Sequence, residues 1–183
     1  MVNGFRDTAG LYREWDVEQD RGEGRFCGRE HILPLRIYYE DTDFSGVVYH
    51  ANYVRYLERG RSEFIRAIGA SHTQMLQAAT PVTFMVSRLD LRFVRPARID
   101  DRLEVRTLME TARGARVSCR QAVTRGGELI LEAVVENVCV SLDGKPKRLP
   151  RVLIERVAAY LPEAGVMPAN DVGVVLPAMA AAE

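Results

Sequence analysis

The sequence predicts an α+β domain in which an antiparallel five-stranded sheet wraps around one long central helix. Three observations lead there. Residues 52–69 carry a broad apolar face at helical spacing. Four strand patterns follow that segment one after another, with no helical pattern between them. The links joining those strands, at 96–101, 112–115 and 125–128, are short enough to make neighbours antiparallel.

Taken in chain order, residues 32–40 read as the first strand, and Pro34 suits an edge or a strand start. A loop turning at Ser45-Gly46 leads to the helix. There Tyr53, Tyr56, Leu57, Phe64, Ile65 and Ile68 share one face, and Gly69 supplies the stop. Asn52 is the expected N-cap unless the helix begins a few residues earlier. Gly60, inside the helix, costs up to about 1 kcal/mol relative to Ala, which points to close backbone packing. After Pro81, Val82, Phe84 and Val86 alternate with polar residues, as do Leu89, Leu91 and Phe93, until Pro96 ends the stretch. Leu103, Val105 and Thr107 open a third strand, and Val117 and Cys119 lie in a fourth that turns at Gly126-Gly127. Residues 130–140 form a fifth, closed by Asp143-Gly144, and residues 151–161 read as a final helix.

The 183 residues suffice for one well-packed domain and are short for two. Residues 1–30 are expected to be a polar, mobile N-terminal extension with one short structured piece around Leu11-Tyr12-Arg13-Glu14-Trp15. Residues 31–161 form the core domain, and 162–183 a Pro/Gly/Ala-rich tail. Basic and acidic residues balance at 25 each, so no global positive field recruits nucleic acid or anionic lipid. An anionic ligand must be met by local groups of Arg and Lys. Cys27, Cys119 and Cys139 are too few and scattered for a disulfide framework, and none forms a CxxC pair for zinc. No apolar signal core or membrane-length apolar run is present, and the cytoplasm is the expected location.

The chemistry concentrates in the segment from Tyr38 to Tyr53. Glu40, Asp41 and Asp43 place three carboxylates within four residues, followed by a glycine turn and the entrance to the apolar helix. Taken alone, Glu40 and Asp41 read as solvated loop residues and Asp43 as a helix-entry cap. The same arrangement also suits a reaction at a carbonyl. Free N–H groups at a helix N-terminus hold an oxyanion, and a carboxylate in the preceding loop can attack the carbon or deprotonate a water.

Tyr38-Tyr39-Glu40-Asp41-Thr42-Asp43 followed by Val47-Val48-Tyr49-His50 resembles the YbgC-type acyl-CoA thioesterases. These form part of the 4-hydroxybenzoyl-CoA thioesterase branch of the hotdog superfamily. The similarity continues through Asn52-Tyr53, Tyr56-Leu57-Glu58 and Arg61-Ser62-Glu63, and returns at Pro96-Ala97-Arg98-Ile99-Asp100-Asp101. It spans roughly residues 32–158. The resemblance implies a hotdog fold and hydrolysis of an acyl-CoA thioester to free acid and CoA. It makes Asp43 the catalytic carboxylate and the backbone N–H of His50 the group that polarises the thioester carbonyl, with Tyr39 nearby at lower rank. It implies no cofactor and no metal. Its members form dimers and tetramers with sites between subunits, and a single unit of this fold leaves a sheet edge uncovered. Phe44-Ser45-Gly46 departs from the smaller residues many members carry there, which reshapes the acyl pocket.

Other readings compete at each position. Glu40, Asp41, Asp43 and His50 form a possible metal set, against which stands their origin in one short segment. His31 and His72 read as structural. Arg88, Arg92 and Arg98, with Arg95, are candidates for CoA phosphates, against a solvated outer sheet face. Lys145, Lys147 and Arg148 make a second basic patch. A magnesium-dependent phosphoryl hydrolase using Asp41-Thr42-Asp43 would sit on a doubly wound sheet, which the consecutive strands argue against. A non-catalytic acyl-CoA-binding or scaffold protein on the same fold remains the alternative to an enzyme.

Overall fold

The computed structural model describes residues 23–163. The piece expected around Leu11–Trp15 and most of the C-terminal tail lie outside the described residues. Ten elements follow in order: β1 (Arg25–Cys27), β2 (Glu30–Arg36), a 3-10 turn (Tyr39–Asp41), α1 (His50–Ala67), α2 (His72–Gln77), β3 (Thr83–Phe93), β4 (Arg102–Arg113), β5 (Arg116–Arg125), β6 (Glu128–Val140) and α3 (Arg151–Ala158). The strands form one antiparallel sheet in the order β1-β2-β4-β5-β6-β3.

The sheet wraps α1 as expected, but it has six strands where five were predicted. The sixth is β1, inside the stretch read as a mobile extension. Three residues are too few to show a period, so its pairing with β2 is decided by tertiary contacts. The Phe26 ring stacks on Tyr160 at 4.3 Å and meets Phe64 edge-on at 5.6 Å. Beneath it, the His31 ring is fully buried, 5.1 Å from Phe26. Burial lowers the His31 pKa, the Glu23 backbone and the charge of Glu63 opposing, so the ring is a neutral core group.

α1 begins at His50, two residues before the position expected of its cap, and Tyr49 is the N-cap. Asn52 is buried in the first turn, and its side-chain amide donates to the Asp41 carbonyl at 2.9 Å. Tyr53, Tyr56, Leu57, Gly60 and Phe64 face the sheet. A Cβ on Gly60 would fall 2.6 Å from Val105 Cγ1, which is the close approach its position implied. Beside it, Gln121 Nε2 donates to the Leu57 carbonyl and to Thr107 Oγ1, both at 2.9 Å, so helix and sheet are locked by a satisfied buried amide. α2 was not anticipated, although Ser71 three residues before Gln74 is a capping pattern; Ser71 Oγ accepts the Gln74 N–H at 3.2 Å.

Among the described residues, β3 is the margin of the sheet and pairs only with β6. Met85, Val86 and Phe93 are exposed along it.

Candidate active site

The first strand ends at Arg36, earlier than the expected Glu40, because the chain bends where Asp41 folds back. The Asp41 carboxylate accepts the Tyr38 N–H at 2.8 Å, and the Asp41 N–H donates to the Tyr38 carbonyl at 3.1 Å. The Asp41 carbonyl in turn accepts the Tyr49 N–H at 2.9 Å. Asp41 therefore ties the strand end to the helix entrance and is spent on structure. Glu40 is exposed on the same turn.

Between these anchors, residues 43–47 form a tight loop. The Asp43 N–H donates to the Val47 carbonyl and the Gly46 N–H to the Asp43 carbonyl, each at 3.0 Å. Gly46 sits at φ +73°, a left-handed conformation that side chains resist. The Asp43 carboxylate accepts the Ser45 N–H at 2.8 Å and a further bond from the Ser45 hydroxyl. These two donors, hydroxyl first, hold the Asp43 carboxyl below its ordinary value, and the charge of His50 adds to the effect. Asp43 is exposed and ionised at neutral pH.

His50 is the first residue of α1, and it is exposed. No acceptor among the described residues takes the backbone N–H of His50 or of Ala51. Those donors stand at the positive end of an 18-residue helix. The loop is held to the sheet by the Val48 N–H, which donates to the Ala97 carbonyl at 2.8 Å, while the Ala97 N–H donates to the Tyr53 hydroxyl at 3.2 Å. Carboxylate and helix N-terminus are thus fastened to one rigid seat. Tyr39 opens the 3-10 turn; its ring is 84% exposed, and its hydroxyl has no hydrogen bond among the described residues.

The four expected arginines separate into two groups. Arg88 pairs with Asp90 at 2.8 Å, Arg92 with Glu132 and Arg95 with Glu128 at 2.9 Å. Arg98 forms no ion pair among the described residues and lies next to the turn, since a Cβ on Gly46 would come within 4.0 Å of its guanidinium. Sequence reading took Ser45 for turn chemistry alone and missed it as the donor to Asp43. An Asx-type spacing of two residues was the available signal. No helix among the described residues is long and apolar enough to cross a membrane.

The family model of the thioesterase-like superfamily matches residues 38–157. The acyl-CoA thioester hydrolase YbgC of Escherichia coli is 40% identical over 123 residues, covering 66% of this chain and 90% of that protein. The crystal structure of a probable thioesterase from Bartonella henselae is also 40% identical, covers 66% of this chain and 99% of that one, and superposes with a TM-score of 0.65. A 4-hydroxybenzoyl-CoA thioesterase solved with its substrate, 23% identical and covering 70% of this chain and 99% of that one, has the same fold at a TM-score of 0.65. With its sheet wrapped around α1 and its match across the loop, helix and strands that build the site, the chain belongs to the thioesterase-like hotdog superfamily, among the YbgC-type acyl-CoA thioesterases.

Proposed function

We infer that the chain hydrolyses an acyl-CoA thioester to free acid and CoA, with Asp43 as nucleophile or general base and the His50 amide as oxyanion donor. The observation that carries the site is the union, within one short loop, of an ionised carboxylate and unfilled N–H groups at the entrance of α1. Acting as base, Asp43 takes a proton from water while the oxygen attacks the thioester carbon. Negative charge that collects on the carbonyl oxygen is met by the helix N-terminus. The C–S bond then breaks, and CoA leaves as a thiolate that takes up a proton. A thiolate leaves readily, so the site needs no strong general acid.

Arg98 is the preferred contact for CoA phosphates, because Arg88 and Arg92 already have carboxylate partners. Tyr39 stays a candidate for a substrate contact. The active form is a homo-oligomer paired through the open margin of β3. A cytoplasmic location goes with the reading, in keeping with three cysteines that are all unpaired.

The test is thiol release from a panel of acyl-CoAs by wild type and Asp43→Asn. Asp43→Asn is expected to be slower by about a hundredfold or more, the usual contribution of a positioned acid–base group. Equal rates defeat the assignment of Asp43. Absence of turnover by wild type on every acyl-CoA favours the acyl-CoA-binding or scaffold alternative.

A further inference from the structure

The 96–101 loop, on which the Asp43 loop is seated through Val48 and Ala97, is braced from the neighbouring hairpin by one arginine. Arg125 closes β5 and stands opposite Glu128 across the Gly126-Gly127 turn. Its Nη1 donates to Asp101 Oδ2 at 2.8 Å and to the Pro96 carbonyl at 3.5 Å, and its Nη2 donates to Glu128 at 2.7 Å. Glu128 in turn holds Arg95 at 2.9 Å. Arg95, Glu128, Arg125 and Asp101 thus alternate in a row whose charges cancel.

Arg98 is left outside that row. Its side chain is exposed, and its guanidinium lies by Gly46, in the turn that carries Asp43. Asp101 is the carboxylate best placed to draw it away. The two residues are three apart in the chain, the Arg98 N–H donates to Asp101 Oδ2 at 2.8 Å, and the Asp101 N–H donates to the Arg98 carbonyl at 3.2 Å. Burial works to raise the Asp101 pKa, but the Arg98 amide and the Arg125 guanidinium outweigh it and hold the group below its ordinary value. Asp101 is therefore charged at neutral pH, and the Arg98 charge already acts on it. A flexible arginine would fold back onto such a neighbour if nothing else answered its charge. Arg125 answers it.

We propose that Arg125 is a positioning residue: by occupying Asp101, it keeps the Arg98 guanidinium free beside the Asp43 loop to meet a phosphate of CoA. The proposal rests on the thioesterase reading and the role of Arg98 given above. It adds to them a residue that acts on substrate affinity only through another side chain. Arg125 and Asp101 are both partly exposed, which keeps the expected effect modest.

The test is steady-state thiol release by the full-length protein from the acyl-CoA that wild type turns over fastest, and from the same acyl group on pantetheine, which has no phosphate. Arg125→Ala is expected to raise KM for the acyl-CoA about fivefold with kcat within about twofold, while kcat/KM on the acyl-pantetheine stays within about twofold of wild type. Arg98→Ala/Arg125→Ala is expected to be no weaker on acyl-CoA than Arg98→Ala alone, since the second change acts through the first. Asp101→Asn keeps an oxygen for the Arg98 amide and removes the charge. Added to Arg125→Ala, it should return KM to within about twofold of wild type, a rescue that mere bracing of the loop would not give. Arg125→Lys, which keeps the charge, should also stay near wild type. Thermal unfolding verifies each variant, and if the Asp101→Asn combination does not fold, the Arg125→Lys and Arg98→Ala/Arg125→Ala enzymes decide. The proposal is overturned by an unchanged KM in Arg125→Ala, by a KM that Asp101→Asn leaves high, or by an equal loss on acyl-pantetheine. Failure of the thioesterase reading looks different: wild type releases no thiol at all, or Asp43→Asn matches it.

Discussion

Of the three clustered carboxylates, Asp41 is engaged by the Tyr38 amide and Glu40 sits on the 3-10 turn, whereas Asp43 stands in the tight loop that leads to the N-terminus of α1, which makes it the one proposed for chemistry. The Asp43 carboxyl titrates below the ordinary carboxylate range, chiefly through the Ser45 hydroxyl and amide. Its charged form persists above that lowered value, and its function is lost only as pH falls through it. Thiol release on account of Asp43 should therefore hold from neutral pH down into the ordinary carboxylate range. Ser45→Ala removes the hydroxyl donor, which raises the pKa and moves the acid limb of the pH–rate profile upward. An unmoved limb would show that Ser45 does not tune the carboxylate. The acidic segment and its helix were legible in the sequence because the residues are adjacent in the chain. Ser45 as a partner was not, since a turn residue and a hydrogen-bond donor to Asp43 look alike until the loop closes.

At the level of the elements, α1 shows why its glycine was worth reading. Gly60→Ala gains about 1 kcal/mol of helix propensity but drives a methyl onto the buried, branched Val105. The neighbouring Thr107 and Gln121 are fixed by the amide network and yield little. We expect a net loss of about 1–2 kcal/mol, a fall in Tm of several degrees, read by calorimetry. An unchanged or raised Tm would mean that the sheet gives way there. The long strands and the helix were visible from their periodicity. β1 and α2 were not, because three and six residues carry too little pattern and depend on contacts such as Phe26 on Tyr160. Strand alternation puts Arg88 and Arg92 on one face, as phosphate contacts or as part of a solvated outer face, and their pairing with Asp90 and Glu132 is visible only with the fold.

The whole molecule is expected to be larger than one chain. Light scattering should return twice the 20.6 kDa chain mass, or four times it, in dilute solution. Val86→Pro, at an exposed position on the open strand, should lower that mass. Persistence of the full mass in that variant would place the assembly contact elsewhere.

The short β1 strand has a consequence at the opposite margin. Two long free edges on one sheet would let copies add at both sides and grow without limit. β1 covers β2 with three residues and carries Arg25, paired with Glu104 at 2.9 Å, at the rim. A strand that short is a poor template for another chain. With β3 the long open edge among the described residues, two copies that paired along it would use up their capacity to associate by strand pairing, and growth would stop at a closed unit. A chain trimmed to begin at His31, the boundary the sequence suggested, would strip that cover from His31 and Ile32 and extend the stretch at 33–36 that β1 leaves unpaired, giving another copy a longer place to add.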